Sequence, residues 1–390
     1  IPTRISIVHD IELSRSLLDP WTTLPAVLFL AFAVVFALWQ ARKRPFLGFA
    51  VLFFMINHLI ESSILGLELI FEHRNYLPSL FLFVPAAMGA RWALAQTQPH
   101  SRLLLRVGFA LVILGFGAGT WIRNLAWADA RTFWSDAAGK APRSMRPVAN
   151  LAYEYYERIG DYRRAFELYH QALELQDYNR MTVSLLHVNI ACLYNFAGVF
   201  SRANEHIETA LALAPEFDQA RNQQALILCD AGKLADAYAT ILPLVEKRPH
   251  SPDYRYTLGY ILLKYGRIAE ALSELETTLK IAPKAPKLLS LTGIGASLGG
   301  DYARAERLLN LALQAVPNDK RVLLWMTDLK LRMQDSAAAG RFTARFLSDL
   351  QSDQVETAVA SSLREGLMPE SSRSALSAWI RSQAHAELNS

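Results

Sequence analysis

Five short strings decide the fold: IGDYRRA (Ile159–Ala165), AGVFSRA (Ala197–Ala203), AGKLADA (Ala231–Ala237), YGRIAEA (Tyr265–Ala271) and GGDYARA (Gly299–Ala305). Their glycines, Gly160, Gly198, Gly232, Gly266 and Gly300, stand 38, 34, 34 and 34 residues apart. An alanine follows each glycine after five residues: Ala165, Ala203, Ala237, Ala271 and Ala305. Pro215, Pro249, Pro283 and Pro317 close four of the units, again 34 apart. Glycine ends a first helix, alanine lets a second helix come close, and proline halts that helix before the next unit begins. A period of this length predicts helix–turn–helix units stacked into a solenoid. A sixth, degenerate unit is expected over Arg321–Leu350, and residues 351–390 are expected to supply capping helices.

This Gly–Ala–Pro placing resembles the tetratricopeptide repeat, which implies a right-handed solenoid with a concave groove for a peptide or partner protein. Tyr169, Ile207, Ile241, Leu275 and Leu309 share one register and read as packing positions. Cys192 and Cys229 fall on first helices and read as small buried hydrophobes. Two cysteines make no disulfide scaffold, and neither stands in a CxxC or Cys/His metal spacing. Binding residues belong on the first helices, whose exposed side chains line the groove. Asn189, Gln223, Arg255 and Tyr256 are the candidates there, set against the plainer reading of each as a solvated position.

Outward from the repeats, the chain changes character. Its 390 residues are 52% apolar and 19% charged, with a mean hydropathy of +0.14, which excludes a disordered chain. The excess lies in residues 21–121. A net charge of +4, dispersed along the chain, offers no nucleic-acid surface. No nucleotide loop, nucleophile triad or metal cluster stands out. Trp21–Gln40 is a run of 20 residues without a charge, about 30 Å as a helix. Phe46–Phe71, roughly Leu77–Ala95 and roughly Leu103–Trp121 complete a set of about four spans. Arg42, Lys43 and Arg44 follow the first span, and Arg91, Arg102 and Arg106 cluster at the third connection. Basic short loops face the cytoplasm, so residues 1–20 and everything after Trp121 are expected outside it. The expected layout is an extracytoplasmic segment (1–20), transmembrane helices (21–121), a junction (122–147), a solenoid (148–350) and a capping region (351–390). That layout makes the chain a multi-pass protein of the cytoplasmic membrane, with lipids as neighbours and the repeats in the periplasm or outside.

Span two carries ionisable residues. At 100° per residue Glu61, Glu68 and Glu72 fall within about 20° of one face, and His58 sits about 60° away. Each such group at membrane depth costs roughly 2.5–3.5 kcal/mol or more. Two readings stand: a functional stripe facing the bundle interior or a wet cavity, or a helix that ends near Ile60 and leaves the glutamates in an extracytoplasmic loop. Arg74, with His73 and Tyr76 beside it, suits an anionic head group or a polyprenyl phosphate, since its fork binds phosphate bidentately. The alternative is a local pair with Glu72.

The string FEHRNYLPS (Phe71–Ser79) and the segment Trp121–Ala152, with Arg123-Asn124 ahead of Trp127 and Trp134, resemble bacterial polytopic tetratricopeptide proteins. These in turn look like the transmembrane-and-tetratricopeptide-repeat O-mannosyltransferases of the GT-C class. The resemblance implies a lipid-linked-sugar-dependent protein glycosyltransferase whose solenoid recruits the acceptor, with a polyprenyl-phosphate-linked sugar as donor. That class keeps a catalytic acidic residue in an early extracytoplasmic loop. Asp10 and Asp19 do not match that motif, so no catalytic residue is assigned. The chain reads as the back end of something longer. Further spans with an early acidic loop would favour the enzyme, and a start near Ile1 a non-catalytic membrane-anchored scaffold.

Overall fold

The computed structural model describes residues 6–9, 14–59, 75–175 and 179–388, and among these the chain is all-α. Its contacts divide it into two units, Ile1–Asn179 and Arg180–Ser390, so the boundary falls between the first repeat and the second.

In the first unit, uninterrupted apolar sequence gives α1 (Thr23–Ala41), α2 (Pro45–Leu59), α3 (Tyr76–Ser79), α4 (Phe83–Gln96) and α5 (Pro99–Leu125). Pro45 and Pro99 stand at the starts of α2 and α5, where a missing N–H costs nothing. Thr23–Ala41, Tyr76–Gln96 and His100–Leu125 are long and apolar enough to cross a membrane, with mean hydropathies of 2.2, 1.3 and 1.9 over their most apolar stretches. Pro45–His58 is a shorter apolar helix, and the rest of the expected second span lies outside the described residues. Side chains such as Phe29, Phe32, Val35, Leu104, Ile113 and Leu114 on α1 and α5 are open, as lipid-facing surfaces are. Gly48 brings α2 against α1: a Cβ there would stand 2.9 Å from the Ala37 carbonyl oxygen. Phe81 packs edge-on to Phe49 and Phe53, with ring centres 5.1 and 5.0 Å away.

After α5 come α6 (Ala130–Lys140), capped by Asp129, and α7 (Met145–Leu151), which continues into a π-helical turn, Ala152–Glu157. With α8 (Tyr162–Glu174) they complete the unit and the first repeat.

The second unit alternates first and second helices. The pairs are α9 (Arg180–Phe196) with α10 (Phe200–Leu213), α11 (Asp218–Asp230) with α12 (Leu234–Lys247), and α13 (Pro252–Lys264) with α14 (Ile268–Ile281). α15 (Pro286–Leu298) pairs with α16 (Tyr302–Ala315), and α17 (Lys320–Arg332) with α18 (Ser336–Leu347). A 3₁₀ turn at Ser352–Gln354, α19 (Val355–Ser362) and α20 (Glu370–Leu388) follow.

The repeat framework is as expected. All five turn glycines have φ between +75° and +83°. Each turn is closed by the N–H of the following residue bonding back five positions, as from Lys233 to the Leu228 carbonyl at 2.9 Å. The five alanines are fully buried, as are Tyr169, Ile207, Ile241, Leu275 and Leu309. Each of the four prolines stands two residues beyond the last residue of its second helix. The sixth unit keeps the geometry with different residues: Gln334 takes the turn at φ +60°, and buried Ala339 follows after five. The single 38-residue spacing has a simple origin. α9 has 17 residues where the other first helices of this unit have 13, and four residues are about one helical turn, so its faces stay in register. Cys229 is buried, as expected, whereas Cys192 is only half-buried.

Candidate functional site: the groove along the first helices

A first helix buries one side against second helices and leaves a stripe uncovered. On α9 that stripe is Leu185, Asn189, Cys192 and Phe196, spaced at i, i+4, i+7 and i+11. Leu185 and Phe196 are exposed, and Asn189 and Cys192 half-buried. Thirty-four residues on, Gln223, Leu226 and Asp230 continue it across α11, all half-buried. The same register then closes. Thr257 and Tyr260 on α13, Leu291 and Ile294 on α15, and Trp325 and Asp328 on α17 are all buried.

The cover comes from the chain itself. Leu363, Leu367 and Met368, in the turn between α19 and α20, belong to the same buried cluster as α13, α15 and α17, together with Val355, Val359, Leu376 and Ile380. Residues 351–390 were expected to cap the last repeat; their turn also lies along the groove. Its polar anchors fall on three first helices, α9, α13 and α17. Arg321 Nη1 donates to Glu365 Oε1 at 2.6 Å, while its Nη2 donates to Ser290 Oγ at 2.8 Å. Lys264 Nζ donates to the Glu365 carbonyl at 2.7 Å, and the Tyr260 hydroxyl reaches that carbonyl at 3.4 Å. Tyr260 also donates to Asp230 Oδ1 at 2.7 Å, and Asn195 Nδ2 donates to Asp230 Oδ2 at 2.7 Å. Arg364 stacks on the Phe196 ring, 3.4 Å from its centre, and donates to the Phe196 carbonyl.

The electrostatics follow from this burial. Burial raises the Tyr256 and Tyr260 hydroxyls above their ordinary pKa, and the Asp230 and Glu365 charges add to the rise at Tyr260. For Arg321 burial pulls downward, and the charge of Glu365 outweighs it, leaving the guanidinium firmly charged. A buried cation of this kind requires a carboxylate partner.

The groove candidates separate on this geometry. Asn189 and Gln223 stand on the open part of the stripe. Tyr256 is half-buried beside Arg321. Arg255 points elsewhere: it pairs with Glu274 of α14 and bonds the Pro249 carbonyl, bracing its own repeat. Sequence reading missed Asp230, Tyr260, Lys264 and Arg321. The 34-residue register could have placed the first three on the stripe, but no local signal ties Arg321 to residue 365.

Of the expected phosphate-binding set, Glu61, Glu68, Glu72, His73 and Arg74 lie outside the described residues. Tyr76 opens α3 and is 81% exposed. His58 Nδ1 meets the Phe54 carbonyl at 2.8 Å and its Nε2 meets the Asn75 side-chain amide at 2.7 Å. Arg123 donates to Asp136 Oδ2 at 2.9 Å, a carboxylate shared with Lys140 at 2.8 Å, and lies 5.5 Å from the Trp127 ring. Arg123 and Trp127 therefore fix the corner between α5 and α6.

The tetratricopeptide-repeat family profile matches residues 223–286 and 256–320. The chain contains tetratricopeptide repeats. Among solved structures, it is similar to PilW, a widely conserved type IV pilus biogenesis factor, at 21% identity and a TM-score of 0.43, over 55% of this chain and 98% of that one. It is also similar to PilF of Pseudomonas aeruginosa, at 19% identity and a TM-score of 0.40, over 55% and 96% of the two chains. A third likeness is YrrB, a tetratricopeptide protein with an unusual peptide-binding site, at 19% identity and a TM-score of 0.31, over 47% and 93%. Such scores carry no argument about what these tetratricopeptide repeats bind. No curated protein matches the chain.

Proposed function

We propose that the chain is a membrane-anchored interaction module. Its apolar helices cross the bacterial cytoplasmic membrane with Arg42–Arg44 on the cytoplasmic side. Its tetratricopeptide array stands outside, where the groove takes a segment of a partner protein. The observation that carries this reading is the continuous stripe on the first helices, open on α9 and α11 and polar at Asn189, Gln223 and Asp230. Stacked repeats present such a surface because side chains at one register recur along the array. The three long apolar helices support the anchoring, since among the described residues their aliphatic and aromatic surface is largely open. Sugar transfer from a polyprenyl phosphate, which the family resemblance implies, has no support in the comparisons and forms no part of this reading.

Two measurements on the full chain in cells test it. A photo-crosslinking residue at Leu185, on the stripe, should give discrete protein adducts, whereas one at Leu311, exposed on second helix α16, should not. With Cys192→Ser and Cys229→Ala as background, an impermeant maleimide added from outside should label Arg163→Cys and not Lys43→Cys. Equal adducts from both photo-probes, or none from Leu185, would overturn the groove assignment. Labelling of both cysteines from one side would overturn the topology.

A further inference from the structure

We propose that the turn Leu363–Met368 is an internal ligand of the groove, and that the partner it stands in for presents an acidic residue flanked by apolar ones. This rests on the interaction reading above and names the chemistry of its ligand.

The argument starts from what holds the turn. The Arg321 guanidinium has a side chain only 17% exposed, and its carboxylate partner is Glu365. If the turn leaves, that charge is stranded in a mostly buried site, and only another carboxylate restores it at similar geometry. Lys264 grips a main-chain carbonyl, a group that any peptide supplies. Leu363, two residues before Glu365, and Leu367 and Met368, two and three after it, are buried against the first helices. The groove therefore reads a short pattern: apolar, any, acidic, any, apolar, apolar. Gly366 adds a turn at φ +64°, and the nearest atom to a Cβ placed there is the flexible end of Lys264 at 3.1 Å.

The turn is also poorly suited to being a permanent part of the core. It lies outside both flanking helices, so its backbone gains no helical ladder of hydrogen bonds, and its Glu365 carbonyl is held by Lys264 at 2.7 Å while the Tyr260 proton goes to Asp230. Its N-terminal anchor, Arg364 on Phe196, reaches past α11 onto the end of the open stripe on α9. Asn195, Asp230 and Tyr260 carry a hydrogen-bonded polar floor from the open stripe to the Glu365 carbonyl. A partner segment seated on α9 and α11 would thus meet the turn end-on and compete for the same donors.

The probe is a fluorescent decapeptide with the chain's own sequence Ser361–Glu370, SSLREGLMPE, added to the full chain in detergent micelles. The double variant Glu365→Gln with Leu367→Ser empties the site while leaving every groove residue in place. By anisotropy it should bind the peptide about tenfold or more tighter than the unsubstituted chain, because a charge-assisted contact is regained. A peptide carrying glutamine at the Glu365 position should bind about tenfold more weakly, and adding Arg321→Gln to the chain should abolish that preference. Far-ultraviolet circular dichroism and amide exchange in α13–α17 establish that the variant is folded. Should it not be, Arg364→Ala, which removes only the Phe196 anchor, serves as the opened form. A folded opened chain that ignores the peptide, or binds the glutamine peptide equally well, overturns the proposal. If the Leu185 photo-adducts persist in that case, the interaction reading stands and only the acidic-peptide assignment falls; if they too are absent, both fall.

Discussion

The turn residue at each repeat allows a quantitative prediction in two directions. Gly266 has φ +78°, and a Cβ built on it meets nothing within 4 Å. Gly266→Ala therefore introduces no clash, and its cost is conformational. Placing a Cβ in the left-handed region costs roughly 1–2 kcal/mol. Alanine also restricts the unfolded chain, which returns about 0.4–1 kcal/mol. The net loss is about 1 kcal/mol. Gln334 occupies the equivalent turn of the sixth unit at φ +60°, so Gln334→Gly reverses both terms and should gain roughly 0.5–1 kcal/mol. Because repeat arrays need not unfold as one unit, the suitable assay is local hydrogen exchange on the full chain in micelles. Amides of α13 and α14 should exchange about fivefold faster in Gly266→Ala, and those of α17 and α18 several-fold slower in Gln334→Gly. Unchanged exchange after Gly266→Ala, or faster exchange after Gln334→Gly, would refute the claim that left-handed backbone sets the residue at this turn.

Ala271 is fully buried where α14 meets its neighbours, so Ala271→Leu should overpack the contact, cost about 1–3 kcal/mol and speed exchange in the flanking repeats as well as its own. Glu157 accepts from the Tyr169 hydroxyl at 2.5 Å, and burial raises its carboxyl above the ordinary range despite that bond. A raised acid pKa means the folded state carries a penalty while the group is ionised, relieved as pH falls through the folded pKa towards the unfolded value. Glu157→Gln keeps an acceptor for Tyr169. It should raise the melting temperature most near neutral pH, with the difference from the parent shrinking as pH drops from about 7.5 to about 4.5. A difference constant across that range would show that burial of the charge is not the cause.

The sequence by itself determined the turns, the close helix contacts and the apolar helices. Gly266, Ala271 and Pro283 are legible because each answers a local demand that every unit repeats: a left-handed residue, a small residue at a crossing, a helix stop. Length and hydropathy alone mark Thr23–Ala41 as able to span a bilayer. The sixth unit was legible in outline although Gln334 replaces its glycine, since the 34-residue spacing to Ala339 persists. Tertiary structure alone decided the pairing of Arg123 with Asp136. It also decided the state of the groove. The bond from Lys264 to the Glu365 carbonyl joins residues 101 apart, and that from Arg364 to the Phe196 carbonyl residues 168 apart. A period in sequence records contacts that recur between neighbouring units. A segment that folds back once across the first helices, with anchors on α9, α13 and α17, occurs at no period, so only the packed chain reveals it.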